Sequence, residues 1–136
     1  MPKIIFQLLA KINWRVKSVI VRYKRFDFSY SLLIFSEPRS GSTWLLQLFE
    51  NLPQTVVNWE PLHSKRGKLT RYDFNSNRFW LNPNIDKNIF LEEFENVLNL
   101  RSHNKWTLSR TSVRSIIKSK YVITKFVRGN WLLPFI

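Results

Sequence analysis

The 136-residue chain contains no cysteine. That excludes a disulfide scaffold and thiolate metal sites, and it leaves the redox compartment open. Histidine is scarce: His63 and His103 are too few and too far apart to give zinc-ligand spacing. Long apolar runs are missing as well. The uncharged stretch Ile4 to Ala10 falls far short of the roughly 20 residues that span a bilayer. No small-residue cleavage site follows it, so it does not read as a signal peptide. The expected location is the cytoplasm, either free or in peripheral contact with a membrane. There is no internal repeat and no low-complexity tract.

Acid is also in short supply, with 9 Asp and Glu against 22 Lys and Arg and a net charge of +13. The imbalance sits at the two ends. Residues 1–26 carry Lys3, Lys11, Arg15, Lys17, Arg22, Lys24 and Arg25 with no acid. After Glu95 every charged residue is basic, from Arg101 to Arg128. Such a surface favours an anionic partner, whether nucleic acid, lipid or a polyanionic nucleotide, and charge alone does not choose among them. The plain alternative is a solvated basic face.

An apolar fraction of 44% and an aromatic fraction of 15% belong to a folded chain. The length allows one domain with a modest core. Residues 4–23 have helical spacing. Ile5, Leu8, Leu9, Ile12, Val16, Val19 and Ile20 form one stripe, with Lys11, Arg15, Lys17 and Arg22 mostly off it. Trp14 adds a residue type common at membrane interfaces. The stripe fits a helix lying on an anionic membrane or docking a partner, and also an N-terminal helix packed on its own domain, the second being the preferred reading.

Residues 30–36 read as a first strand and residues 42–52 as a helix stopped by Pro53. Residues 54–59 read as a second strand, ended by Pro61. Residues 64–86 read as a long irregular excursion. Helical spacing returns at 87–100, with a short basic helix at 111–119 and a third strand at 121–127. Strands separated by helices argue for a parallel α/β layer.

The stretch Leu32-Leu33-Ile34-Phe35-Ser36-Glu37-Pro38-Arg39-Ser40-Gly41-Ser42-Thr43-Trp44-Leu45-Leu46 concentrates the chemistry. A buried-type strand runs into a tight polar loop, and a helix starts at once. Backbone amides converge there and the helix dipole favours negative charge, which suits an anionic ester. Arg39 supplies a permanent cation. Ser40, Ser42 and Thr43 supply hydroxyls, and Gly41 permits close backbone approach. The bland reading is a strand-turn-helix connection with an ordinary hydroxyl cap. The Walker lysine position is unfilled and no magnesium-binding acid follows the loop, which argues against a nucleotide kinase.

Pro38-Arg39-Ser40-Gly41-Ser42-Thr43-Trp44-Leu45 resembles the 5′-phosphosulfate loop of the sulfotransferase family. Trp59-Glu60-Pro61-Leu62-His63 is similar to the Phe-Glu-Pro-Leu segment of its carbohydrate-type and related bacterial members. Tyr121 to Pro134 resembles the family's next core strand and loop. The resemblance implies a P-loop NTPase-like three-layer α/β fold with a short parallel sheet. Residues 1–29 would form a basic amphipathic helix and residues 30–136 a partial sulfotransferase-like domain. It implies PAPS (3′-phosphoadenosine 5′-phosphosulfate) as co-substrate, no metal, and a small-molecule or carbohydrate acceptor bearing a hydroxyl or amine. Arg39, Ser40, Gly41, Ser42, Thr43 and Trp44 would bind the cofactor. Arg39, where the family often has lysine, would face the bridging oxygen. Glu60 would act as the base or bind the acceptor, with His63 as the other candidate base. Lys125 and Arg128 either face the site or are solvated strand-end charges, the second being the preferred reading.

The family's Arg-Asp-Pro-Arg-type segment and following serine, which hold the 3′-phosphate, have no counterpart before Ile136. The expectation is therefore an N-terminal portion of a sulfotransferase, inactive alone. The competing reading is a non-enzymatic basic module for nucleic acid or an anionic membrane surface, with the six Trp and eleven Phe as stacking platforms. No nucleic-acid motif supports specific binding of that kind. Residues 1–26 are the expected place for peripheral membrane contact.

Overall fold

A computed structural model describes residues 2–69, 86–127, 129 and 132. Its elements are α1 (Pro2–Tyr23), a 3-10 turn (Phe28–Tyr30), β1 (Ser31–Ser36), α2 (Ser42–Glu50), β2 (Thr55–Trp59), α3 (Lys87–Leu98), α4 (Val113–Lys118) and β3 (Tyr121–Val127). The strands form one three-stranded sheet in the order β1-β3-β2. Both pairings are parallel, with Ile34 opposite Lys125 and Lys125 opposite Trp59. The chain is thus an α/β protein whose small parallel sheet is flanked by helices. Most of the expected 64–86 excursion, residues 70–85, lies outside the described residues, as do Arg128 and most of the stretch after it.

Strand alternation sorts the core into two faces. Ile34, Val57 and Ile123 pack with Leu46 of α2, beside Phe49 and Trp59. On the other face, Phe126 packs with Phe90, Phe94, Val97 and Leu98 of α3, joined by Leu33 and Phe35. Val56 and Val122 continue that face toward Ile116 of α4 and Val21 of α1. Sheets covered on both sides need nearly continuous apolar strands, which is what β2 and β3 supply.

β2 would be a bare edge without the segment between α3 and α4. The Thr111 hydroxyl accepts from the Val57 amide and donates to the Val57 carbonyl, each at 3.0 Å. The Trp59 amide donates to the Thr107 carbonyl at 2.8 Å. These bonds satisfy the outer side of the strand and deny it to another chain.

α1 packs through Trp14, Lys17, Ser18 and Val21, spaced at one helical face. Trp14, expected as an interfacial residue, turns inward and meets His103 edge-on at 5.9 Å. Lys17 Nζ donates to the Leu108 carbonyl at 3.3 Å. Lys24 Nζ, just past the helix, donates to the Ile116 and Ile117 carbonyls at 2.8 and 2.6 Å. It caps the carboxyl end of α4, where a cation is favoured. Of the apolar stripe read from helical spacing, Ile20 is half-buried and joins the core cluster, whereas Ile5, Leu8, Leu9, Ile12, Val16 and Val19 lie off the face that packs.

Candidate functional site

The β1–α2 connection turns sharply at the carboxyl end of the sheet. The Ser40 amide donates to the Glu37 carbonyl at 3.3 Å, closing the turn. Arg39 then takes φ 63° and Gly41 φ 79°. Gly41 is the N-cap of α2 and provides no side chain to cap it. A Cβ on Gly41 would meet nothing within 4 Å, so glycine is needed here for its left-handed backbone and not for lack of space. The start of α2 is left open toward a free volume, with the exposed Arg39 beside it. Ser42 is buried, whereas Ser40, Thr43 and Trp44 are exposed.

Glu60 follows β2 directly, at φ 40°. A non-glycine residue in that region is held there by its surroundings. The His63 amide donates to the Glu60 carbonyl at 3.0 Å, and the Gly67 and Lys68 amides donate to the His63 and Pro61 carbonyls, both at 2.7 Å. Asn104 Nδ2 ties the same turn from outside, donating to the Arg66 and Gly67 carbonyls at 2.9 and 3.0 Å. A Cβ on Gly67 would collide with the backbone of Pro61 and His63. The turn is therefore closed by several independent bonds and by one close approach that only glycine permits.

Lys125 joins these two segments. The residue is 2% exposed, which corrects the reading of it as a solvated strand-end charge. Its Nζ donates to Glu60 Oε1 at 2.8 Å and to Thr43 Oγ1 at 3.2 Å. It also lies 4.3 Å from the centroid of the Trp59 ring. Burying an ammonium is costly unless charge and hydrogen bonds compensate it, and here a carboxylate, a hydroxyl and an aromatic face all do. Lys125 lies on the central strand between β1 and β2, so it reaches the loops after both. Period-two alternation contains the missed signal: Lys125 shares a face with Ile123, two residues earlier, and Ile123 is buried under α2.

His63 is placed differently. Its Nδ1 accepts from the Lys65 and Arg66 amides at 3.2 and 3.3 Å. Its ring meets Trp106 edge-on at 5.2 Å, and Arg66 lies over that same indole at 4.8 Å. A neutral imidazole that accepts through Nδ1 carries its proton on Nε2 and is a donor there. Among the described residues no hydrogen bond links His63 to the Lys125 cluster. The structure thus brings Thr43, Glu60 and Lys125 together, places Arg39 and Gly41 on the loop leading to Thr43, and leaves the His63 imidazole, though in the same turn as Glu60, outside that cluster.

Among the described residues no group of His, Asp or Glu is arranged to hold a metal ion. Two cavities open elsewhere, near the amino ends of the strands. One, of about 550 Å³, is lined chiefly by Tyr30, Leu32, Leu52, Pro53 and Tyr121. The other, of about 470 Å³, is lined by Lys24, Phe26, Lys120 and their neighbours. Neither includes Arg39, Glu60 or Lys125. In parallel sheets ligands bind beyond the carboxyl ends of the strands, which favours the loop over either cavity. Compared with known protein families, curated proteins and solved structures, the chain has no match.

Proposed function

We propose that this chain is a sulfotransferase-like domain of the P-loop type. It would hold the 5′-phosphosulfate of PAPS at residues 38–44 and pass the sulfuryl group to a hydroxyl or amine acceptor. The observation that carries this reading is the buried Lys125 ammonium, held between Thr43 at the start of α2 and the Glu60 carboxylate. The residues fit an anionic ester. The N-cap of α2 is an uncapped glycine with open space above it, and Arg39 offers a permanent charge. A carboxylate beside such an anion would repel it, and Lys125 neutralises that repulsion.

Bound PAPS would supply the transferable sulfuryl group. The protein's part is to orient it and to meet charge as it shifts. Arg39 and the α2 amides would meet the charge that develops on the departing phosphate, with no proton transfer required of them. Glu60, whose Oε1 accepts from Lys125, would take the acceptor's proton. Proton arrival on Glu60 removes the negative half of the pair. Lys125 would then offer its charge to the departing adenosine 3′,5′-bisphosphate, as the sulfuryl group exchanges its bond to the phosphate oxygen for one to the acceptor's oxygen or nitrogen. His63, already a donor at Nε2, is less suited to be the base.

The reading is tested by titrating the chain with PAPS and with adenosine 3′,5′-bisphosphate. Arg39→Ala should weaken binding roughly 10- to 100-fold, the weight of one charged hydrogen-bonding group. Unchanged affinity in that variant would sink the proposal. Salt-steep binding to single-stranded DNA that Arg39→Ala leaves intact would favour the basic-module reading instead.

A further inference from the structure

The apolar stripe of α1 has no cover within the described chain. Ile5, Leu8, Leu9, Ile12, Val16, Val19 and Tyr23 are all exposed, Leu8 at 56% and Ile12 at 50%. At 100° per residue they occupy an arc of about 100°. The packed residues Trp14, Lys17, Ser18 and Val21 lie on the opposite side of the same helix. Residues 4–13 are exposed throughout, so the first half of the helix stands clear of the domain. A contiguous apolar face of this kind on a soluble surface marks an interaction site.

Charge selects the occupant. Lys11, Arg15 and Arg22 are exposed and line one border of the stripe. No acid occurs before Asp27, and the chain carries +13 overall. A second copy would bring an equally cationic, acid-free helix against this one. No described helix is both long and apolar enough to cross a membrane. α1 has 22 residues, about 33 Å of helix, with an apolar face on one side and cations at its border.

We propose that α1 is an in-plane docking helix for an anionic lipid bilayer. Its apolar stripe would sink to the level of the acyl chains, and Lys11, Arg15 and Arg22 would meet the headgroups. The opposite face stays fastened to the domain by Trp14, Lys17, Ser18 and Val21. Docking on this face needs no rearrangement of the fold, because the stripe is already free. The proposal is independent of the anion site after β1 and stands whatever that site binds.

The full chain should co-float with vesicles of mixed phosphatidylcholine and phosphatidylserine, and far less with phosphatidylcholine alone. Leu8→Glu with Ile12→Glu should abolish flotation while leaving the thermal midpoint unchanged, since both side chains are exposed. Lys11→Gln with Arg15→Gln should lower partitioning on the order of twentyfold, about fivefold per charge. Because the chain has no cysteine, Ile12→Cys carries a single environment-sensitive fluorophore. Its emission should shift to the blue on mixed vesicles and not with soluble phosphate. Three results would each overturn the proposal: equal binding to neutral vesicles, no blue shift on mixed vesicles, or a lipid-free dimer that the Leu8/Ile12 variant dissolves.

Discussion

Lys125 Nζ lies 2.8 Å from Glu60 Oε1, but the two side chains are not equally shielded: that of Lys125 is 2% exposed and that of Glu60 15%. The burden of the pair is therefore asymmetric. Removing the carboxylate strands a buried ammonium, whereas removing the ammonium leaves a carboxylate that can still reach water. Glu60→Ala should destabilise the fold by about 3 kcal/mol, at the lower end for a broken buried pair. Lys125→Met keeps most of the side-chain volume and should cost about 1 kcal/mol. The double variant should be less destabilised than the two single effects added together. Urea unfolding of the four proteins measures this, and the opposite order for the single variants would show that the pair is not buried as described.

The same residues show how much of the molecule could be read in the sequence. The strands at 31–36, 55–59 and 121–127 fall within a residue or so of their expected bounds. Dense β-branched and aromatic runs between turn residues announce themselves. The α/β class followed from their alternation with helices. Lys125 was misread because a lone charge on a strand is normally solvated, and its partner lies 65 residues away. Only the strand register, which sets Lys125 opposite Trp59, brings Glu60 within reach. For α1, periodicity located the apolar stripe but was silent on which face would pack. Trp14, Lys17, Ser18 and Val21 form the packed side instead, and the lysine and the serine are held by hydrogen bonds that no pattern of hydrophobicity encodes. The Asn104–Thr111 segment gave no sequence signal, although it covers the β2 edge and braces the Glu60 turn.

Gly67 is the most sensitive position in that turn. Its amide donates to the His63 carbonyl, and any Cβ would press on the carbonyls of Pro61 and His63. Backbone cannot yield as a side-chain tip can. Gly67→Ala should therefore destabilise by about 2 kcal/mol, the scale of overpacking. It should also loosen Glu60, which is read as faster exchange of the His63 amide. An alanine variant as stable as the parent would mean that the turn is not closed this tightly.

Thr111 offers a separate test of the edge. Its hydroxyl both donates to and accepts from the Val57 backbone in a buried position. Thr111→Val keeps the shape but leaves one N–H and one C=O unsatisfied. A loss of about 2 to 3 kcal/mol is expected. Amide exchange at Val57 should speed up more than at Ile123, which is protected within the central strand. Equal change at both positions would assign the effect to global instability alone.

His103 should give the fold a pH-dependent arm near neutrality. Its Nδ1 lies 2.7 Å from the Leu100 carbonyl, so that nitrogen carries the proton, and Nε2 accepts from Ser18 Oγ of α1 at 3.0 Å. Burial lowers its pKa first of all. The Leu100 hydrogen bond opposes that shift, and the positive charges of Arg22 and Lys68 add to it. The unfolded chain therefore takes up a proton at a higher pH than the folded one. Stability is fully present above the unfolded value, about 6.5, and is lost as pH falls toward the depressed folded value. The loss begins above the range in which carboxylates titrate, so its onset can be told from theirs. His103→Gln, which has no titrating group, should flatten the thermal midpoint just below about pH 6.5 while leaving its acid limb intact. Because Ser18 belongs to α1, the parent's decline should be accompanied by faster amide exchange across residues 14–21. A parent midpoint that rises on acidification through this range would reverse the sign of the argument and exclude a buried neutral His103.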